Sequence, residues 1–176
     1  MKNTHYRCLY KTPEGFSDMI MTSDGIYLTG LWFEGSGEME KFEVESPDQT
    51  FAVFRETERW LDLYFGGRIP DFVPEYKIEN LTPFRQEVVE VLKTIEYGRT
   101  LTYGDIAKRL AVKRGIPRMS AQAVGGAVGW NPICIIIPCH RVIGADGSLT
   151  GYGGGILNKA ALLRHEGLTP TNTYFS

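Results

Sequence analysis

The chain has 176 residues, 43% hydrophobic and 23% charged, ordinary values for a globular protein of one large domain or two small ones. No apolar run approaches the roughly 20 residues a membrane helix needs, which excludes a helical membrane protein. The net charge of −2 conceals a division, because residues 1–80 hold 8 Lys/Arg against 15 Asp/Glu and residues 81–176 hold 11 against 6. Such a division suggests that one half meets a polyanion, although two unlike surfaces of one domain would also produce it. At the N-terminus, Met1-Lys2-Asn3-Thr4-His5 leads into no apolar stretch of the secretory type. His5 and Cys8 stand three residues apart, but two ligands do not make a structural zinc site, and no metal or cofactor is expected. Cys8, Cys134 and Cys139 include no Cys-x-x-Cys pair, so the sequence predicts a reducing cytoplasm rather than a disulfide framework.

The first part reads as strands followed by a helix. Two β-prone runs, 16–22 and 26–33, flank Ser23-Asp24-Gly25, and Asp-Gly is a strong hairpin signal. From Thr50 to Phe65 the apolar residues Phe51, Phe54, Trp60, Leu61, Tyr64 and Phe65 fall near helical spacing, and Gly66-Gly67 stops the run. The stretch 68–74 contains Pro70 and Pro74 and reads as a linker, with a boundary near 75–80 where the charge changes sign.

The second part is helical. Thr82 is an N-cap with Pro83 at the first helical position, and Phe84, Val88, Val91, Leu92 and Ile95 follow until Gly98. Thr102 caps a second helix, with Asp105 three residues on, and Ser120 caps a third across 121–129. Two short helices joined by a turn predict a helix-turn-helix, here with a long connection over 111–119. A last helix runs about Leu157 to Glu166 and ends at Gly167. The expected fold is therefore an N-terminal α/β domain over 1–78 and a helical domain over 79–176.

The third helix is built from Ala, Gly and Val, and each of Gly125 and Gly126 costs roughly 1 kcal/mol relative to alanine. Small residues on a helix permit close packing against another helix, or the close approach of a ligand to its backbone. Lys108, Arg109, Lys113, Arg114 and Arg118 precede it, with no acid among residues 106–118. Basic groups flanking a bare helix suit phosphates on either side of a DNA groove. Beyond it, the run Ile133–Ile137 reads as a buried segment in which Cys134 is inert packing. Cys139 follows Pro138 and precedes His140-Arg141, and neighbouring imidazole or guanidinium groups lower a thiol pKa from about 8.5. A lone Cys-His pair fits a structural role as well as a catalytic one.

Pro138-Cys139-His140-Arg141-Val142 resembles the active-site motif of the O6-alkylguanine-DNA alkyltransferases, the methylated-DNA–protein-cysteine methyltransferases. The resemblance continues through Ala123-Val124-Gly125-Gly126-Ala127, Asn131-Pro132, Gly151-Tyr152, Gly154-Gly155 and Leu162-Leu163-Arg164-His165-Glu166-Gly167. It implies an RNase H-like N-terminal domain and a winged-helix-like C-terminal domain. It also implies irreversible, single-turnover transfer of an alkyl group from O6-alkylguanine in DNA to Cys139, by a monomer. His140 would draw the thiol proton through a water, and Glu166 would orient His140. Asn131 would hold the turn that carries the cysteine, and Tyr103 would protonate the leaving guanine at N3. Backbone groups of Cys139 and Val142 would read the exocyclic amine, the N–H of Gly153 would meet O6, and Tyr152 would wall the pocket. Ser120, Gln122, Ala123, Gly125, Arg118 and Arg141 would contact double-stranded DNA, from which the damaged nucleotide must be flipped.

Three departures from the family pattern stand out. Gln122 occupies the place where the family usually inserts an arginine into the base stack, and Arg114 or Arg118 is then expected to supply the missing charge. The basic connection is longer than usual, and Gly153 replaces the usual serine. Two other functions would use parts of the same pattern. A DNA lesion sensor of the alkyltransferase-like type would lack the reactive cysteine, and a cysteine hydrolase would not need the glycine-bearing helix.

Overall fold

The computed structural model describes residues 5–36 and 51–170. Residues 1–4 and Thr50, expected to open the first helix, lie outside them. The chain is mixed α/β, with five α-helices and two small sheets among the described residues. Its contacts form two units, Met1–Glu79 with Pro132–Ile136, and Asn80–Asn131 with Ile137–Ser176.

In the first unit, β1 (Tyr6–Tyr10), β2 (Met19–Ser23) and β3 (Leu28–Phe33) form an antiparallel sheet in the order β1-β2-β3. The predicted hairpin is β2–β3. Its turn is held by the Asp24 carboxylate, which accepts from the backbone N–H groups of Ile26 and Tyr27 at 3.0 and 2.8 Å. β1 was not read from the sequence, because it alternates between half-buried and exposed residues until Tyr10 and carries a weak apolar signal. All residues of β2 and β3 are buried, so their apolar runs are nearly continuous rather than alternating. Helix α1 (Ala52–Phe65) packs on both strands through buried Val53, Phe54, Trp60, Leu61 and Tyr64. Two segments from farther along the chain bridge to β3 in parallel, Tyr76 against Leu28 and Ile133 against Leu31. At the second bridge the Leu31 N–H donates to the Pro132 carbonyl at 2.8 Å and the Cys134 N–H donates to the Leu31 carbonyl at 3.0 Å, so the buried apolar run is extended chain beside β3 rather than helix.

In the second unit, α2 (Pro83–Leu92), α3 (Tyr103–Arg114) and α4 (Ala121–Gly129) pack on one another. Helix α2 stops at Leu92, earlier than the apolar pattern predicts. Thr94 and Ile95 close the end with backbone bonds to Val91 and Leu92, and the Thr94 hydroxyl donates to the Val91 carbonyl at 2.6 Å. Thr102 and Asp105 form a complete reciprocal capping box on α3, with bonds of 3.0 and 2.9 Å. The helix then runs a full turn beyond the sequence expectation, to Arg114, and ends on Gly115 at φ +63°. Gly115 and Ile116 return their N–H groups to carbonyls of the last turn, a left-handed cap that favours glycine. Much of the long connection is therefore helix, and the turn proper is 115–120. A two-residue parallel pair, β4 (Leu101–Thr102) with β5 (Val142–Ile143), ties the start of α3 to the chain leaving Cys139. Helix α5 (Ile156–His165) closes the unit. No helix among the described residues is long and apolar enough to cross a membrane.

Candidate active site

The segment bearing Cys139 is shaped by its backbone. Asn131, buried, donates from Nδ2 to the Ile137 carbonyl at 2.8 Å, clasping the two ends of a short excursion of the chain. Within it Ile135 has φ +68°, strained for a β-branched residue, and Ile136 N–H bonds the Cys134 carbonyl across it. A three-residue turn about Pro138 then joins Cys139 N–H to the Ile137 carbonyl at 2.8 Å. Cys139 opens the 3-10 turn Cys139–Arg141 and is 4% exposed.

His140 and Glu166 lie 26 residues apart in sequence and meet in this unit. The His140 Nε2 stands 2.8 Å from Glu166 Oε1, both side chains being fully buried. Its other nitrogen, Nδ1, has no hydrogen-bond partner among the described residues. Glu166 also accepts from the Gly98 N–H at 3.1 Å and from Arg141 Nε and Nη2, each at 2.9 Å. Burial alone would raise the Glu166 pKa, but the bonds and charges of His140 and Arg141 hold it far below the usual carboxylate range. Burial pushes the His140 pKa below the usual imidazole value against the pull of Glu166, and the charges of Arg141 and Lys159 push the same way.

Arg141, expected at DNA, is corrected by the structure. It is 9% exposed, with Nε and Nη2 on Glu166 and Nη1 donating to the Ile95 carbonyl at 2.6 Å. A guanidinium so engaged is not presented to a phosphate.

Tyr103, the first residue of α3, is brought to the cysteine by the β4–β5 pairing. Its hydroxyl donates to the Thr150 carbonyl at 3.1 Å, and burial, then the nearby Cys139, raise its pKa. The sequence reading missed Lys159. This residue of α5 is 1% exposed, donates to the Val142 carbonyl at 2.6 Å, and lies within 6 Å of the Tyr103 and Tyr152 rings. Burial lowers its pKa to about 8, and the neighbouring Cys139 opposes the shift. A lone Lys in an amphipathic helix reads as a solvated charge, so only its burial reveals it. Val142 follows Cys139-His140-Arg141 as the start of β5, Tyr152 is half-buried, and Gly153 is exposed with open space around its α-carbon. Leu149, Ala160 and Leu163 pack together and anchor the loop that carries Tyr152 and Gly153 onto α5.

The exposed face of α4 begins at its N-cap. The Ser120 hydroxyl accepts from the Ala123 N–H at 3.2 Å, and Ala121, Gln122, Ala123, Gly126 and Gly129 are exposed. A Cβ on Gly125 would meet the Tyr103 ring at 3.7 Å, an ordinary contact, and one on Gly126 would meet nothing within 4 Å. Packing inside the protein does not require either glycine. Arg114 forms a two-point ion pair with Glu87, at 2.9 and 3.2 Å, which binds α3 to α2. Arg118 is exposed, makes no ion pair among the described residues, and lines a groove with Lys108, Ile116 and Ala121. No group of three or more His, Cys, Asp or Glu among the described residues is placed to hold a metal ion.

A family model described as 6-O-methylguanine DNA methyltransferase, DNA binding domain, matches residues 83–168. The methylated-DNA–protein-cysteine methyltransferase of Methanosarcina acetivorans is 46% identical over 130 residues, covering 72% of this chain and 80% of that protein. The protein of the same name from Haemophilus influenzae is 36% identical over 161 residues, covering 92% and 86%. Among solved structures, the O6-methylguanine methyltransferase of Mycobacterium tuberculosis superposes with a TM-score of 0.76 at 38% identity, covering 96% of this chain and 97% of that one. Its counterpart in complex with DNA gives 0.74 at 37% identity, covering 94% and 96%.

Proposed function

The chain belongs to the methylated-DNA–protein-cysteine methyltransferase family, and on that footing we propose that it repairs O6-alkylguanine in double-stranded DNA by moving the alkyl group to Cys139. The observation that carries the proposal is the buried 2.8 Å pair that Glu166 makes with His140, the residue following Cys139 in the same 3-10 turn. With the proton of the neutral ring on Nε2 toward Glu166, Nδ1 is the basic nitrogen, and through a water it takes the thiol proton. The Cys139 sulfur displaces guanine at the alkyl carbon, so an S–C bond forms as the C–O6 bond breaks. Tyr103 transfers its phenolic proton to N3, so the purine leaves neutral, and the proton held by His140 restores the phenol. The Lys159 ammonium stabilises the sulfur's negative charge as it develops. Backbone groups of Cys139 and Val142 read the exocyclic amine, the N–H of Gly153 meets O6, and Tyr152 walls the pocket. The product is a thioether, which thiol exchange cannot reverse, so each molecule acts once.

DNA is met by the exposed face of α4. Gly126 supports this reading, since no neighbour among the described residues lies within 4 Å of where its side chain would be. Ser120, Gln122, Ala123 and Gly125 line the approach, with Gln122 entering the stack as the target nucleotide flips out. Arg118 supplies the cationic contact that Gln122 lacks, since Arg114 is held by Glu87. The finer architecture we propose is an RNase H-like domain over 1–78 and a winged-helix-like domain over 79–176, in a monomer of the cytoplasm. The three cysteines, none in a disulfide, suit that compartment. The test is peptide mapping after reaction with duplex O6-methylguanine DNA. The methyl group is expected on the peptide carrying Cys139, and its appearance on Cys134 or Cys8 would refute the assignment.

A further inference from the structure

Glu166 is shared. His140 Nε2 and Arg141 Nη2 meet at the same oxygen, Oε1, at 2.8 and 2.9 Å, while Arg141 Nε and the Gly98 N–H take Oε2. In an ordinary imidazole–carboxylate pair the negative charge favours imidazolium, and a protonated ring cannot accept a thiol proton. Here a guanidinium sits on the same carboxylate and offsets its field at the ring. We propose that Arg141 is a positioning residue for the transfer, holding His140 neutral with its proton on Nε2 and its Nδ1 lone pair available to the Cys139 thiol. The inference rests on the reading of His140 as the base.

The charges that act on the ring are those of Glu166, Arg141 and Lys159, and α3 brings Tyr103 to the neighbouring Cys139 and Lys159. Helix α5 and its end supply Lys159 and Glu166, and the 3-10 turn supplies Arg141 and Cys139. The segment after α2 supplies Tyr97, whose ring lies 5.8 Å from the Arg141 guanidinium. Lys159 is a second buried cation and also disfavours imidazolium. Glu166 is the group that pulls the ring toward imidazolium, and Glu166 is the group that Arg141 occupies. The lowered His140 pKa agrees in direction.

The experiment has two arms. Imidazole nitrogen NMR of the full-length protein at neutral pH should find His140 of the wild type neutral and protonated on Nε2, and Arg141→Gln should raise the pH at which the ring takes its second proton. Single-turnover methyl transfer by Arg141→Gln should show its acid limb displaced upward by at least about one pH unit, with Arg141→Lys restoring it. Imidazolium at neutral pH in the wild type would overturn the proposal. So would an Arg141→Gln variant that slows equally at every pH with its acid limb unmoved. Should Arg141→Gln fail to fold, Arg141→Met takes its place in both arms. Failure of the wild-type protein to gain a methyl group would instead undo the alkyl-transfer reading, and nitrogen NMR of the wild type against Arg141→Gln, which needs no transfer, would still judge Arg141.

Discussion

At the scale of single residues, the site is a set of buried charges that tolerate one another through direct bonds. Replacing Glu166 by Gln leaves the Arg141 guanidinium buried without its counter-charge, and breaking such a pair costs about 3–5 kcal/mol. Denaturant titration of Glu166→Gln should show a loss of this size, and single-turnover kinetics a fall of roughly 10²-fold. Lys159→Met should keep the fold, since an apolar stem replaces a buried amine, yet slow transfer by about 10²-fold. Unchanged kinetics in that variant would remove Lys159 from the chemistry. The pairing of His140 with Glu166 was legible in the sequence because local strings carry both residues. Lys159 was not, because burial is a property of the fold. Arg141 was misread for the same reason, since a basic residue two positions after a cysteine says nothing about the direction of its guanidinium.

At the scale of elements, caps and hairpin turns were readable because one or two side chains decide them. Thr82, Thr102 and Ser120 each accept the backbone N–H expected of an N-cap. The parallel β4–β5 pair was not readable, because two-residue strands have no periodicity, yet this pair brings Tyr103 to Cys139. Helix α3 was drawn short because Lys113 and Arg114 looked like turn residues, whereas the stop is the left-handed Gly115. For α4 the sequence allows either close packing or the approach of DNA, and the structure gives Gly126 no neighbour within 4 Å among the described residues. Gly126→Ala should therefore stabilise the protein by roughly 0.5–1 kcal/mol in thermal or chemical unfolding. The same variant should bind duplex DNA more weakly in a fluorescence-anisotropy titration. Unimpaired binding would mean that this face does not meet DNA. Gln122→Arg should speed transfer from duplex DNA and leave transfer from the free base unchanged, if extrusion limits the rate.

For the whole molecule, two buried groups make stability depend on pH in the same sense. The folded-state pKa of His140 lies below its ordinary 6.5, so its contribution is present above that value and is lost as pH falls below it. Glu166, also depressed, contributes above 4.5 and loses its contribution as pH falls through its folded value. Thermal unfolding should therefore show a midpoint that declines from about pH 6.5 downward, and Glu166→Gln should flatten the lower part of that decline. The division of charge between the halves of the chain is consistent with DNA being met by the second unit, where the exposed Arg118 and the bare face of α4 lie. The central claim, however, is chemical, and intact-mass spectrometry tests it most directly. After incubation with excess duplex DNA containing O6-methylguanine, the wild-type protein should gain one methyl group per molecule and no more, and Cys139→Ser should gain none. A protein that binds the damaged duplex with its mass unchanged, or one that releases methyl groups repeatedly without keeping any, would contradict the account.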